Sequence, residues 1–232
     1  MQTHTSIVIG GSGGLGRAVA RRFADRGDSV VVTSRDGTRA QAAAEEIGGS
    51  GSTRGLAVDL SRPESILPAL TSVTEVDHLV LTAMDPVPNS LAEFDVDNAV
   101  RAVTIKLVGY AEAVRALRDR FRPTASVVLF GGMAKERPYP GSTMVTTFNS
   151  GLSGLVKTLA VELAPHRINA LHPGVIGDSP RWRDVKDHPH ERRTPIGRLV
   201  TTAEIVDATD FLLRNAGMNA HDLHVDGGML VG

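Results

Sequence analysis

The feature that most constrains this 232-residue chain is a run of five glycines in seven positions, Gly10-Gly11-Ser12-Gly13-Gly14-Leu15-Gly16. The apolar stretch Ser6–Ile9 precedes it. A segment of helical period, Leu15–Arg26, follows, with Leu15, Val19 and Phe23 on one stripe. The run contains Gly-x-Gly-x-x-Gly at Gly11, Gly13 and Gly16, and the wider Gly-x-x-x-Gly-x-Gly at Gly10, Gly14 and Gly16. Strand, glycine turn and helix in this order form a cradle for a pyrophosphate. Glycine permits the tight turn and a close backbone approach, and the helix N-terminus offers free N–H groups to the phosphates. A ligand-free glycine turn would not require the strand before it and the amphipathic helix after it.

The rest of the chain repeats the alternation. Further strands are predicted at Ser29–Thr33, Gly55–Val58, His78–Thr82, Ala125–Phe130, Arg167–Leu171 and Asp222–Val225. Helical patterns lie at Thr38–Ile47, Pro63–Thr71, Asn98–Arg120, Val145–Leu163 and Ala203–Arg214. The strands are almost continuously apolar, as strands buried on both faces are. Their alternation with helices predicts parallel βαβ units. The expected architecture is one α/β domain over residues 1–232, a doubly wound Rossmann-type three-layer sandwich with a parallel sheet of about seven strands. Gly48–Gly55 reads as a surface turn, not a linker.

Composition removes several classes of function. The 25 basic and 26 acidic residues nearly cancel, which argues against a nucleic-acid binder or a polybasic membrane anchor. With no cysteine, disulfides, thiolate catalysis and thiolate metal sites are excluded. No apolar run approaches the roughly 18 residues of a membrane span, and Met1–Ile9 is too short for a signal peptide, so a cytoplasmic location is expected. His188-Pro189-His190 lacks the spacing of a helical ligand pair, and no metal is expected. His172, before Pro173-Gly174, is the histidine placed to see a pocket, with a structural role as the alternative.

The second strand ends Val31-Val32-Thr33-Ser34-Arg35-Asp36. Ser34 stands where an acidic residue would bind the ribose hydroxyls of NAD, and Arg35 follows it. This favours NADP(H) over NAD(H), with Arg35 receiving the 2′-phosphate. The alternative makes Arg35 a solvated charge and gives the ribose to Asp36.

With these residues in view the chain resembles the short-chain dehydrogenase/reductase family from Ile7 to Gly232. Val58-Asp59-Leu60 is similar to the segment whose Asp contacts the adenine ring. Pro173-Gly174-Val175-Ile176 is similar to the strip that lines the nicotinamide pocket. Thr194-Pro195-Ile196-Gly197-Arg198 with Glu204, and Val225-Asp226-Gly227-Gly228, match the approach to the last helix and the final strand and turn. The resemblance implies a cofactor site made of Gly10, Ser12, Gly13, Gly14, Leu15, Gly16, Ser34, Arg35, Asp59, Leu60, Ala83, Asn149, Pro173, Gly174 and Ile176. It also implies a homodimer or homotetramer that acts on a small molecule.

The family's chemistry is hydride transfer between a nicotinamide and a carbonyl or alcohol. A tyrosine supplies the proton, a lysine four residues later tunes it, a serine polarises the substrate oxygen, and an asparagine completes a relay. Aligned through this chain's own motifs, the tyrosine position holds Val145 and the lysine position Asn149. The serine position holds Gly132 and the asparagine position Lys106. The family's Asn-Asn-Ala-Gly reads Leu81-Thr82-Ala83-Met84, and the threonine after Pro173-Gly174 falls on Asp178 or Ser179. The adenosine and phosphate end matches the family, while the reaction end does not.

The candidates for the missing chemistry are Lys106, Asn149 and Tyr139. Lysine and asparagine have exchanged places, which keeps one cation and one amide near the cofactor. The alternative makes Lys106 a surface lysine. Tyr139, between Pro138 and Pro140, is one of only two tyrosines and lies six positions before Val145. It is either a proton donor that swings in or a packed amphipathic ring. Lys135 is a weaker candidate on the same loop. The charged segment Ser179–Thr194, with Trp182, is either a cap over the substrate site or a solvated loop. Three functions remain open: an NADP(H)-dependent oxidoreductase with a non-standard proton donor, a nucleotide-binding sensor or pseudoenzyme without redox turnover, and a non-redox catalyst.

Overall fold

A computed structural model describes residues 3–49, 51–85, 90–186 and 188–232; Ser50, in the expected surface turn, and Asp187, in the charged segment, lie outside them. Seven strands, β1 (Thr5–Ile9), β2 (Ser29–Ser34), β3 (Thr53–Ala57), β4 (Val76–Leu81), β5 (Phe121–Phe130), β6 (Arg167–Pro173) and β7 (Asp222–Val225), form one parallel sheet in the order β3-β2-β1-β4-β5-β6-β7. All seven expected strands are present, several longer by one to four residues; β3 is shifted, taking Thr53 and Arg54 from the expected turn and releasing Val58, and β4 stops at Leu81, before Thr82.

Successive side chains on a strand face opposite ways, so each central strand feeds two cores. In β1, Ile7 and Ile9 pack on one side and Val8 on the other. The Val8 side carries α1 (Gly14–Asp25), α2 (Gly37–Ile47) and α7 (Thr202–Arg214), through Phe23, Ile47 and Leu212. The Ile7 side carries α3 (Ile66–Ala69), α4 (Val96–Val103), α5 (Tyr110–Leu117) and α6 (Thr143–Glu162), through Ile66, Tyr110 and Leu152. Thr201 and Glu204 close a capping box on α7, which Arg198 braces from outside with bonds of 2.6 and 3.0 Å to Glu204.

Two helical expectations change. The segment Pro63–Thr71 contains only the single α-turn of α3, opened by a 3₁₀ turn at Pro63–Ser65. The long helix expected over Asn98–Arg120 is broken in the middle: α4 passes into a π-turn, Thr104–Gly109, before α5 begins, and a 3₁₀ turn closes it at Arg118–Arg120. Side-chain periodicity does not report the hydrogen-bond step of a helix, so this insertion was invisible. Gly109 belongs to its packing, because a Cβ there would stand 2.6 Å from the Leu60 carbonyl oxygen.

The strand order reverses between β1 and β4, whose residues pair as far as Ile9 with Leu81. Beyond that point the chains diverge into Gly10 on one side and Thr82-Ala83 on the other. A crevice must open there, at the carboxyl ends of the strands.

Candidate functional site

A cleft of about 540 Å³ occupies this switch point, within the range of small-molecule sites. Its floor is the glycine run. Gly10 has φ +88°, and a Cβ there would lie 2.7 Å from the Ala83 nitrogen. A Cβ on Gly16 would fall on the Gly10 carbonyl oxygen. Gly14, at φ +51°, faces open space. The N-cap of α1 is Gly13, which has no side chain to offer, and the first turn holds no acid. The first N–H groups of the helix are therefore uncapped at the positive end of its dipole, facing the cleft.

Ser12 and Leu15 complete this floor, and Ser34 and Arg35 line the cleft at the end of β2. Asp36 does not: its carboxylate accepts the Arg39 N–H at 3.1 Å and caps α2. Arg39 does line it, and its Nη2 is 3.4 Å from where a Gly13 Cβ would stand. Sequence reasoning missed Arg39, although its place four residues after Arg35, on the first turn of α2, brings both arginines to one end. Arg35 donates to Asp85 at 3.1 Å, and Arg101 donates to the same oxygen at 3.0 Å.

Asp59 and Leu60 form the next wall. Burial works against the Asp59 carboxylate, but Ser61 outweighs it with a backbone bond of 2.9 Å and a hydroxyl bond of 2.7 Å. Helped by Arg101 and Arg35, these bonds hold the carboxyl below its usual range. Ala83, Pro173, Gly174 and Ile176 line the far end with Gly131 and Lys106. Of the residues expected at the cofactor, only Asn149 stands back from the lining.

Lys106 is no surface lysine: it lies on the π-turn, 3% exposed. Its Nζ donates to Tyr110 Oη at 2.9 Å, and Tyr110 Oη donates to the Ala83 carbonyl at 2.9 Å. Burial lowers the Lys106 ammonium to a pKa of about 7 and raises the Tyr110 phenol well above its ordinary value. Asn149 is also buried, and its Oδ1 has no hydrogen-bond partner among the described residues. A Cβ on Gly132 would meet Asn149 Nδ2 at 3.2 Å, so the carboxamide borders the space that a serine at 132 would fill.

The remaining candidates point elsewhere. Tyr139 is 57% exposed and absent from the lining, in a turn where its carbonyl accepts from Ser142. Lys135 donates to Asp222 at 2.8 Å and Ser153 at 3.1 Å. His172 is fully buried: Nδ1 accepts the Gly132 N–H at 3.2 Å, which leaves Nε2 to donate to Asp222 at 3.2 Å. Burial lowers its pKa to about 4, so it is a neutral support under Gly131 and Gly132. Asp178 accepts from the backbone and hydroxyl of Thr202, and Ser179 donates to the Ile176 carbonyl. None of the described residues of the segment 179–194 lines the cleft; Trp182 packs edge-on to His188 at 4.6 Å, under Arg181. Among the described residues no cluster could hold a metal, and no helix is long and apolar enough to cross a membrane.

A family model described as enoyl-(acyl carrier protein) reductase matches residues 10–230. The chain belongs to the short-chain dehydrogenase/reductase family. Carbonyl reductase family member 4 of Xenopus laevis is 30% identical over 230 residues, covering 96% of both chains. The 3-oxoacyl-[acyl-carrier-protein] reductase of Bos taurus is 27% identical, again over 96% of each. A solved short-chain dehydrogenase/reductase family protein superposes with a TM-score of 0.86 at 27% identity, covering 99% of this chain and 98% of that one. These relatives place the chain among the oxidoreductases of the family.

Proposed function

We propose that this short-chain dehydrogenase/reductase is an NADP(H)-dependent oxidoreductase acting on the carbonyl or alcohol group of a small molecule, with a proton donor other than the family's tyrosine. The observation that carries the proposal is the continuity of one cleft. It runs from two arginines, past an uncapped helix N-terminus, to a buried lysine.

The cradle fits a dinucleotide: Gly14 opens onto empty space where phosphates would lie, and Gly13 leaves the helix end free. Arg35 and Arg39 would take the 2′-phosphate, because Asp36 is committed to capping α2 and the carboxylate beside Arg35, Asp85, is shared with Arg101. Asp59 and Leu60 would border the adenine, and Pro173, Gly174 and Ile176 the nicotinamide. When bound, the nicotinamide supplies or accepts the hydride. Gly132, without a side chain, would leave room beside it for the substrate. Val108 and Val161, 50% and 79% exposed on neighbouring helices, suit the association of copies of this chain through that face.

Val145 in the tyrosine position favours a second function, dinucleotide binding without turnover. Fluorescence titration with NADPH and NADH, followed by incubation of NADPH deuterated at the transferable hydrogen with ketones and enones, separates the two. Deuterium in a product supports the oxidoreductase. Tight binding without transfer across the panel supports the binder.

A further inference from the structure

We propose that the Lys106 ammonium, held by Tyr110, exchanges the proton with the substrate oxygen. The proposal deepens the oxidoreductase function above and rests on the cleft being a dinucleotide site.

Three observations converge. Lys106 lines the cleft although it is 3% exposed, so burial and access to the ligand coincide at one nitrogen. No ion pair engages it among the described residues: Asp85 is taken by Arg35 and Arg101, and Asp59 by Ser61. The hydrogen bond it makes is to Tyr110 Oη, whose own proton goes to the Ala83 carbonyl. That hydroxyl can therefore only accept from Lys106, which leaves two N–H groups without a partner among the described residues. Unpaired polar groups of this kind are costly in a folded core unless a ligand completes them.

The division of labour follows. Tyr110 is fully buried and its phenol resists ionisation, so it is a positioning residue. Lys106 can change charge near neutral pH, as a general acid must. In the reducing direction a bound reduced nicotinamide would supply the hydride to the carbonyl carbon, and the C=O π pair would move to oxygen. The Lys106 N–H bond breaks as the O–H bond forms. Lysine is left as the neutral amine and regains its proton from solvent through the cleft. Tyr110 is the side chain hydrogen-bonded to the ammonium, and the acids that line the same cleft, Asp59 and Asp85, are both paired, so burial sets its titration.

The test has a readout that needs no cofactor. Acetic anhydride labelling of the apo protein across pH 5–10, read by peptide mass spectrometry and normalised to exposed Lys157, should show Lys106 gaining reactivity near pH 7. A Lys106 curve without a break below pH 9 overturns the proposal whatever the turnover. With ethyl acetoacetate, acetophenone and 2-cyclohexenone as probes, Lys106→Met should lose roughly 100-fold or more in kcat. NADPH affinity should change by no more than about 3-fold, a loss under 0.7 kcal/mol. Tyr110→Phe should keep binding and move the break in the pH–rate profile. Parallel loss of binding and turnover makes Lys106 a cofactor contact and sinks the proposal, as does a Lys106→Met profile that matches the native one. Should Lys106→Met not fold, the labelling curve and Tyr110→Phe still decide. A native protein that binds no dinucleotide would sink the underlying function instead, leaving the Lys106 titration to be read separately.

Discussion

Arg35 and Asp85, fifty positions apart, meet at 3.1 Å where the second and fourth strands end. An exposed pair of this kind contributes little to stability, and Arg101 shares the same oxygen at 3.0 Å. Its consequence is for ligand choice, since a carboxylate beside the arginine opposes a 2′-phosphate. Arg35→Ala should weaken NADPH by about 10-fold or more, worth ~1.4 kcal/mol, and leave NADH nearly unchanged. Asp85→Asn should tighten NADPH selectively. Isothermal titration of both nucleotides against both variants measures this; equal losses for the two in Arg35→Ala would remove Arg35 from the phosphate site.

The glycines of the cradle are not equivalent. A methyl group at Gly16 would collide with the Gly10 carbonyl oxygen, which is backbone and cannot rotate away. At Gly13 a methyl would meet only the far end of Arg39, at 3.4 Å. Gly16→Ala should therefore cost about 1–3 kcal/mol in urea unfolding and abolish dinucleotide binding, as overpacked sites do. Gly13→Ala should fold with nearly native stability and lose affinity alone. If Gly16→Ala unfolds at the native urea midpoint, the close approach of helix and turn is wrong.

The glycine run and the alternating segments made the sheet, its two faces and the cradle legible, because both signals are local in the chain. Asp59, Pro173 and Gly174 were legible through their motifs, and the structure puts all three on the cleft. What stayed hidden depends on distant partners. The π-turn that carries Lys106 arises where the helix closes against Leu60, a contact across 49 positions. Tyr110 sits four residues after Lys106, but the bond that orients its hydroxyl goes to the backbone carbonyl of Ala83, 27 positions away, which leaves no mark in the sequence. Tyr139, flanked by prolines, drew attention as a donor, yet the turn it belongs to holds it in solvent. Arg39 could have been found from its spacing to Arg35.

Gly131 and Gly132 look alike in sequence and differ in what surrounds them. A Cβ on Gly131 would fall on the His172 ring, which Gly132 N–H and Asp222 fix from both sides. A Cβ on Gly132 would meet only the Asn149 amide, at 3.2 Å. Gly131→Ala should destabilise by about 1–3 kcal/mol through overpacking, whereas Gly132→Ala should cost under about 1 kcal/mol. Thermal unfolding of the two variants side by side checks the difference; equal shifts in Tm would mean that His172 does not support this turn.

Two buried histidines set the acid limit of the fold. Burial lowers His172 to about 4, and lowers His78, packed against His4 and Phe23, to about 4 as well. Unfolded, each would titrate near 6.5. Between pH 4 and 6.5 the unfolded chain thus binds more protons than the folded one, so stability rises with pH across this window and falls as pH drops through it. Asp222, held well below the usual carboxylate range, adds stability that is present above that range and is lost only at still lower pH, below about pH 4. Unfolding near pH 5 should take up close to two protons per chain, and the loss from pH 7 down to pH 4 should approach roughly 3 kcal/mol per histidine as an upper bound. His78→Phe keeps the ring packed against Phe23 and deletes one titration, so the uptake should fall to about one proton. Urea unfolding at half-unit pH steps measures both slopes. A stability that stays flat between pH 7 and 5 in the native protein would show that neither histidine is held neutral by the fold.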